Sequence, residues 1–314
     1  MRAGALALLL ACGAPGANPA TAPTASIWVR SEAQFEGAVA ALRESGGTIL
    51  LLPHVYAGEL LVGARGERPL RILGTPGARV ERIRLDRAQQ VSIGGLTVSP
   101  VSQDARIEVV GSRYVELHDL LVSARGTRHS ASVSIPDSSH VTIRRSTFTH
   151  CGDRSPSFVN CLLLSTGASH VTVADSWFHD CYGCDFVHGR FGSDLRLLRN
   201  RFERSLPCRI GPVRCGHQDL VELFAGQRLL VEGNHFGVYR VGGAQLYLTN
   251  AIDHVTVVNN VFVGTDPLVP GYRSRMGMII GSRATLRVPH YVRVVNNTIL
   301  TGSTRMTATR HRSA

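Results

Sequence analysis

Three polar residues occupy equivalent positions in successive repeats of the sequence and could carry acid–base chemistry. Asp185, Asp219 and Gln245 each lie 15 residues before an asparagine of a regular series. On successive coils of a stacked structure, the two carboxylates would lie about 5 Å apart, one strand spacing. Carboxylates this close tend to keep one proton between them, so that one serves as acid and the other as base. The arrangement suits retaining hydrolysis of a glycosidic bond. We therefore predict Asp185 and Asp219 as catalytic residues.

His217 stands two residues before Asp219 and could relay a proton or orient the pair, so we predict it as the third catalytic residue. The segment from Cys208 to Cys215 interrupts the repeat just before it, and long loops on rigid scaffolds commonly carry function. The predicted substrate-binding residues are Gln245, Tyr247, Glu222, His188, Arg190 and Arg214. A structural interpretation stays open, because Asp commonly ends loops by bonding to turn amides. Arg190 and Arg214 could equally be solvated surface residues with no part in binding.

The alternation of apolar residues sets the expected direction of these side chains. The residues that follow the polar three are apolar and are expected to face the core: Phe186, Leu220 and Leu246. Because neighbouring strand residues point to opposite faces, the polar three should form an outward column, with His217 and Tyr247 on the same face. His188 and Glu222 have the inward parity, so we expect them at a bend or in a buried pair.

An eight-residue pattern indicates the elements that position these residues. Apolar residues occupy its first, third and eighth positions, and its starts lie 24 to 37 residues apart. The units begin at Val91, Val115, Val141, Val171, Leu195, Leu229, Val255 and Val292. The alternation predicts a strand with one buried face, followed by a turn. The sixth position is Asn in the last four units, where we expect left-handed backbone geometry and amide bonds from coil to coil. These residues are Asn200, Asn234, Asn260 and Asn297.

A second apolar segment precedes most units, as in Ala131 to Ile135 and Cys161 to Leu164. A repeat of two or three short strands cannot bury its apolar face alone, whereas stacked parallel coils can. These repeats resemble the pectate-lyase-like superfamily of right-handed parallel β-helices. The opening resembles that family's cap, with a helix from Glu32 to Arg43 and an apolar segment from Gly46 to Pro53. The resemblance implies an all-β, right-handed parallel β-helix (solenoid) with a short N-terminal capping helix.

The resemblance implies a carbohydrate substrate and leaves the reaction open, since the superfamily includes lyases, hydrolases, epimerases and non-catalytic adhesin modules. The signature motifs of its polygalacturonases are not intact here. Its pectate lyases use an Arg base with Ca²⁺ held by clustered Asp residues, a cluster that Asp180, Asp185 and Asp219 could imitate. Its alginate and chondroitin lyases use a Lys base, and this chain contains no Lys. We expect no cofactor other than Ca²⁺.

Composition is consistent with one large domain, since 44% of the 314 residues are hydrophobic and no shift divides the chain. The net charge is +11, carried entirely by Arg. Such a surface attracts polyanions, although a compositional bias towards Arg gives the same count. The Arg residues are scattered and no nucleic-acid-binding signature occurs, so we expect a polysaccharide partner and no nucleic acid.

The N-terminal segment predicts export. Residues 1–25 combine Arg2, an apolar run from Ala5 to Ala11 and a Pro-rich stretch, which is typical of a signal peptide or a lipoprotein signal. Leu9 to Cys12 resembles a lipobox, so a lipid anchor at Cys12 is the one membrane attachment that we expect. Residues 26–302 are predicted to form the β-helix domain, and residues 303–314 a basic C-terminal tail. The expected location is secreted, periplasmic or lipid-anchored at the cell surface.

Six cysteines remain after Cys12, and an even number in an exported chain favours disulfides. We expect that Cys208 can pair with Cys215, and Cys151 with Cys181 across coils. Cys181-x-x-Cys184 would suit zinc or redox chemistry, but without a second such pair we predict no metal. The sequence thus predicts an exported carbohydrate-active protein that cleaves a polysaccharide by hydrolysis or β-elimination. The alternative is a non-catalytic glycan-binding or structural surface module.

Overall fold

The computed structural model describes residues 25–100, 106–124, 131–151, 160–206, 219–237, 243–264, 276–281 and 289–300. These residues contain one helix, α1 (Glu32–Leu42), and a series of short strands. The first thirteen strands are β1 (Ser26–Val29), β2 (Gly47–Leu51), β3 (His54–Val62), β4 (Leu70–Gly74), β5 (Ala78–Asp86), β6 (Gln89–Gly94), β7 (Thr97–Val98), β8 (Arg106–Val110), β9 (Arg113–His118), β10 (Leu121–Ser123), β11 (Ala131–Ile135), β12 (Ser139–Arg144) and β13 (Thr147–Thr149). The others are β14 (Asn160–Leu164), β15 (Ser169–Ala174), β16 (Trp177–Tyr182), β17 (Val187–Leu198), β18 (Arg201–Leu206), β19 (Val221–Glu232), β20 (His235–Phe236), β21 (Ala244–Leu248), β22 (Ile252–Val258), β23 (Val261–Val263), β24 (Met276–Ile280), β25 (His290–Val295) and β26 (Thr298–Leu300).

The strands pair in parallel with their counterparts one coil away and form three long sheets. Sheet A contains β1, β2, β4, β6, β9, β12, β15, the second halves of β17 and β19, β22 and β25. Sheet B contains the first halves of β3 and β5, then β7, β10, β13, β16, β18, β20, β23 and β26. Sheet C contains the second halves of β3 and β5, β8, β11, β14, the first halves of β17 and β19, β21 and β24. The all-β parallel β-helix expected from the repeats is confirmed.

Helix α1 covers the N-terminal end of the coil stack, as predicted. Ser31 caps it by accepting a hydrogen bond from the Gln34 backbone amide, and the Gln34 side chain accepts one from the Arg30 amide. The arrangement resembles a capping box, except that the Gln34 side chain reaches the amide of the residue before the N-cap, and it satisfies two amides at the helix start. The apolar face of the helix buries Phe35, Ala38, Val39 and Leu42.

A column of phenylalanines fills the core beneath sheet B. Phe148, Phe178, Phe202, Phe236 and Phe262 occupy the eighth repeat position and are fully buried. Successive ring centroids lie 4.4, 5.1, 5.2 and 4.6 Å apart, each pair stacked. Identical residues on successive coils thus pack ring on ring, which stabilises the strand spacing.

The asparagine ladder forms as predicted, in the turn between sheets A and B. The side-chain amide of Asn200 donates to Oδ1 of Asn234 at 3.1 Å, that of Asn234 to Oδ1 of Asn260 at 3.0 Å, and that of Asn260 to Oδ1 of Asn297 at 2.9 Å. The backbone amides of the same three donors bond to the same Oδ1 atoms. The expected left-handed backbone, however, belongs to the preceding residues: Arg199, Gly233, Asn259 and Asn296. The Asn side chains therefore serve the turn through hydrogen bonds and not through their own backbone geometry.

We expect Asn234→Ala to lower the free energy of unfolding by about 2 to 3 kcal/mol, because the change leaves buried backbone groups of neighbouring coils without partners. Asn234 is buried and also donates to the Leu197 carbonyl at 2.8 Å. The matched control is Asn297→Ala in the last described coil, where the side chain is partly exposed and the loss should be smaller. Urea unfolding measures both, and equal losses would contradict this assignment.

Candidate functional site

Asp185 and Asp219 lie on equivalent coil positions, just before the sheet C halves of β17 and β19. The outward orientation expected for them is wrong, because both side chains are buried. Oδ1 of Asp185 accepts a hydrogen bond from the Asp219 amide at 2.7 Å, and Oδ1 of Asp219 accepts one from the Ala244 amide. Each carboxyl thus bonds to the backbone of the next coil, which is the loop-ending role that Asp commonly takes.

Gln245 does not belong to this column, contrary to the sequence analysis. The register places Ala244 next to Asp219, because the connection from β21 to β22 is one residue longer than the matching part of β19. Counting back from the asparagine therefore slips by one position. The Gln245 amide is buried and donates to the carbonyls of Phe236, Gly237 and Val263 at 3.0, 2.7 and 2.8 Å, and its interactions are structural.

The alternation of inward and outward residues breaks at the start of the sheet C halves of β17 and β19. Phe186 and Val187 are both buried, and both amides donate to the Leu220 carbonyl, at 3.0 and 3.2 Å. This bulge reverses the parity of the strand residues after it. His188 and Glu222, expected to share the direction of the inward residues, instead lie on the outer face of sheet C, where they pair in register with each other. Of the two expected arrangements, the structure is nearer to the buried pair, since Glu222 is buried against a partly exposed His188.

Asp185, His188 and Glu222 form the candidate site, here named the His188 cluster. Nδ1 of His188 lies 2.8 Å from Oδ2 of Asp185 and 3.4 Å from Oε2 of Glu222. The side chain of His188 is 26% exposed, that of Glu222 10% and that of Asp185 2%. The imidazole also makes a T-shaped contact with the Phe224 ring, with centroids 5.0 Å apart. Asp185 therefore supports His188 from behind, while His188 and Glu222 reach solvent.

The His188 cluster favours the protonated form of the imidazole. Burial lowers the pKa of His188, but the hydrogen bonds to Asp185 and Glu222 outweigh it and raise the pKa to about 9. Burial raises the pKa of Asp185, opposed by its hydrogen bonds to His188 and to the Asp219 amide. Because the pKa values of His188 and Asp185 are both raised, this pair favours holding a proton at neutral pH. The carboxylate expected from the sequence beside that of Asp185 is that of Asp219. In the structure the carboxylate of Glu222 takes this place, and Asp185 and Glu222 both contact Nδ1 of His188.

Two groups of donor atoms among the described residues lie close enough to converge on a metal ion: the His188 cluster, and the sulfurs of Cys151, Cys161 and Cys184. Ca²⁺ prefers oxygen ligands, so the imidazole of the His188 cluster suits it poorly. The proposed calcium set is also dispersed, because Asp180 pairs with Arg204 at 2.8 Å and with His179 at 2.7 Å. Asp180, Asp185 and Asp219 do not form a converging group in the described part of the chain.

The other predicted site residues divide into two groups. Tyr247 lies beside Glu222 in register on sheet C, and Arg190 is exposed at the end of the sheet C half of β17. His217, Arg214 and the pair Cys208 and Cys215 lie outside the described residues. Phe224, which contacts His188, was missed by the sequence analysis because nothing separates it from a core Phe in the sequence.

The four described cysteines pair within a coil and not between coils. Cys151 bonds to Cys161, and Cys181 bonds to Cys184, so the expected Cys151–Cys181 pair is wrong. Cys151 and Cys181 do occupy equivalent positions on adjacent coils, as the sequence indicated. The Cys161 amide donates to the Asp185 carbonyl at 3.1 Å. The Cys161 backbone therefore contacts Asp185, a member of the His188 cluster.

Comparison with known proteins agrees with this architecture. No protein-family model and no curated protein matches the sequence. Among solved structures, PfbA, a surface adhesin of Streptococcus pneumoniae, has a TM-score of 0.50 at 11% identity and covers 87% of each chain. The chain therefore shares the parallel β-helix fold of this structure. Alginate lyase from Paenibacillus sp. str. FPU-7 has a TM-score of 0.49 at 11% identity, over 90% of this chain and 97% of that one. At such identities the similarity concerns the fold alone.

Among the described residues, no helix is long and apolar enough to span a membrane.

The pH dependence of stability tests the His188 cluster. The folded pKa of His188, about 9, lies above its ordinary value of 6.5. The folded state therefore holds the proton more tightly, and this stabilisation is present below the ordinary value and lost as pH rises through about 9. It amounts to at most about 3 kcal/mol. Urea unfolding from about pH 6 to about pH 10 should show this decline. His188→Gln should remove it, and an equal decline in the variant would contradict the assignment.

Proposed function

We propose that the chain binds an acidic polysaccharide on the outer face of sheet C and cleaves a glycosidic bond there, by hydrolysis or β-elimination. The observation that carries this proposal is the geometry of the His188 cluster, in which a partly exposed imidazole contacts two carboxyl groups that raise its pKa to about 9. Perturbed titratable groups that meet on a surface are typical of catalytic sites.

In this proposal His188 is the acid and Glu222 the base. The imidazolium donates its proton to the glycosidic oxygen as that bond breaks, a step common to hydrolysis and elimination. The Glu222 carboxylate accepts a proton, either from water in hydrolysis or from the sugar carbon next to the carboxylate in elimination. Asp185 is a positioning residue, since it is buried and acts on substrate only through its hydrogen bond to His188.

The acidic class of substrate is inferred from charge. Arg190 is exposed on the same strand as His188, two residues along, and can pair with a sugar carboxylate. Tyr247 stands beside Glu222 on the next coil and can bond to sugar hydroxyls. The net charge of +11 attracts a polyanion to the whole surface. Arg214 and His217 stay candidate contacts on the basis of sequence alone.

Non-catalytic glycan binding is the second candidate, and one observation favours it. PfbA, which has the same fold, is a surface adhesin. An imidazolium and an arginine on one face would hold an acidic glycan without reaction. The proposal also includes export, to the medium, the periplasm or a lipid anchor at Cys12, for which the support is the apolar run and lipobox-like residues of the N-terminus.

Replacing Glu222 tests the reaction. We expect Glu222→Gln to lower the rate of polysaccharide cleavage by at least about 100-fold, since the base is lost while the shape is kept. The matched control is Glu232→Gln, in the sheet A half of the same strand β19, which should keep the wild-type rate. Release of reducing ends without new unsaturation indicates hydrolysis, and ultraviolet absorbance of an unsaturated product indicates elimination.

Asp219→Asn in the same assay separates the two assignments of the base. Asn retains an oxygen that can accept from the Ala244 amide, so cleavage should continue. Abolished cleavage in Asp219→Asn with full activity in Glu222→Gln would return the catalytic role to Asp219. Glycan binding without any cleavage by the wild type would favour the second candidate.

Asp185→Asn tests the positioning role through a pH profile. Cleavage that needs protonated His188 should fall as pH rises through its pKa of about 9. Loss of the Asp185 carboxylate removes the hydrogen bond that most strongly raises this pKa, so the alkaline decline should move to lower pH. A lower rate with an unmoved pH profile would mean that Asp185 serves the structure only.

A further inference from the structure

The four described cysteines form one buried sulfur cluster where two coils meet. Cys151, Cys161, Cys181 and Cys184 are all fully buried. The sulfurs of Cys151, Cys161 and Cys184 lie within 4.8 Å of one another, and that of Cys181 is bonded to Cys184. All four sulfur atoms therefore share one small volume.

We propose that this cluster, when its two disulfides are reduced, binds one Zn²⁺ or a similar thiol-seeking divalent ion through four cysteine sulfurs. Zinc takes four thiolates in a tetrahedron with Zn–S near 2.3 Å, which places the sulfurs about 3.8 Å apart. Three of the sulfurs are already within 4.8 Å of one another, so small side-chain rotations bring them to that spacing. The same four cysteines would thus form two disulfides when oxidised and bind one metal ion when reduced.

The surroundings suit a structural metal site. The cluster is closed to solvent, as four-coordinate structural zinc sites are. The Ser132 hydroxyl donates to Sγ of Cys151 at 3.5 Å, the kind of supporting hydrogen bond that orients a ligand. The Tyr182 amide donates to the Cys151 carbonyl at 2.8 Å, so the coils that supply the ligands are already held together.

The ion would join coils that the disulfides leave unjoined. Each disulfide links cysteines on either side of one connection from sheet B to sheet C. A four-sulfur ion would instead link Cys151 and Cys161 on one coil to Cys181 and Cys184 on the next. The Cys161 amide bonds to the Asp185 carbonyl, so the same cross-link would lie against the His188 cluster.

The chemistry balances with a dithiol reductant. Reducing the two disulfides takes four electrons and four protons, which two equivalents of a dithiol provide as they close to disulfides. The four thiols then release their protons to solvent as the sulfurs bind the ion. Reoxidation by two equivalents of a small disulfide, which takes up the four electrons and four protons, closes both disulfides again and releases the ion.

Cobalt binding to the full chain tests the proposal. The protein carries Cys12→Ser, Cys208→Ser and Cys215→Ser, so that only the four clustered cysteines remain. After reduction and removal of the reductant, Co²⁺ should bind at one ion per chain, with the intense tetrahedral and thiolate-to-cobalt absorption bands of a four-sulfur site. One equivalent of Zn²⁺ should abolish these bands, and the oxidised protein should show none.

Two further variants assign the ligands. Cys184→Ser should lose the four-sulfur spectrum, whereas Glu222→Gln, which alters the other converging donor group, should keep it. The absence of thiolate bands in the reduced protein, or an unchanged spectrum in Cys184→Ser, would overturn the proposal. If Cys184→Ser does not fold, as judged by circular dichroism, the stoichiometry and spectrum of the reduced four-cysteine protein decide the question alone.

Discussion

Parallel hydrogen bonding between coils is the constraint on which the rest of the structure depends. Each strand pairs with its counterparts in the neighbouring coils, so residues far apart in sequence become neighbours at one strand spacing. The Asp219 amide meets Asp185 across 34 residues, and the Ala244 amide meets Asp219 across 25. Fully buried phenylalanines and the asparagine amides fix that register from inside.

The same constraint determines the chemistry of sheet C. The bulge at Phe186 and Val187 turns His188 to the outer face, where coil stacking places it beside Glu222. Asp185 remains behind them, bonded on one oxygen to the next coil and on the other to the imidazole. A rigid backbone contact thereby orients Asp185, which in turn orients His188. Such a supporting layer is what precise acid–base chemistry requires.

The sequence predicted the fold because its repeat is carried by residue types with a physical reason to recur. Apolar alternation, the phenylalanines and the Asn series together define strands, turns and stacking direction. Within the site, Asp185, His188 and Glu222 were all identified from their matching positions in adjacent repeats. Their directions could not be predicted, since strict alternation fails at a bulge that only the hydrogen bonds of Phe186 and Val187 reveal.

The remaining errors have equally local causes. One extra residue after β21 displaced Gln245 from the Asp column. The cysteine pairing was misjudged because equivalent positions on adjacent coils bring Cys151 and Cys181 close without making them partners. The apolar pattern encodes neither the length of each insertion nor the pairing of the cysteines, and both are seen only in the folded structure.

The central claim is that His188 holds a proton between Asp185 and Glu222 at neutral pH. Nuclear magnetic resonance of the histidine ring nitrogens, assigned by comparison with His188→Gln, measures this directly. We predict that both ring nitrogens of His188 remain protonated at neutral pH and that the ring titrates near a pKa of about 9. Titration at or below the ordinary value of 6.5 would contradict it.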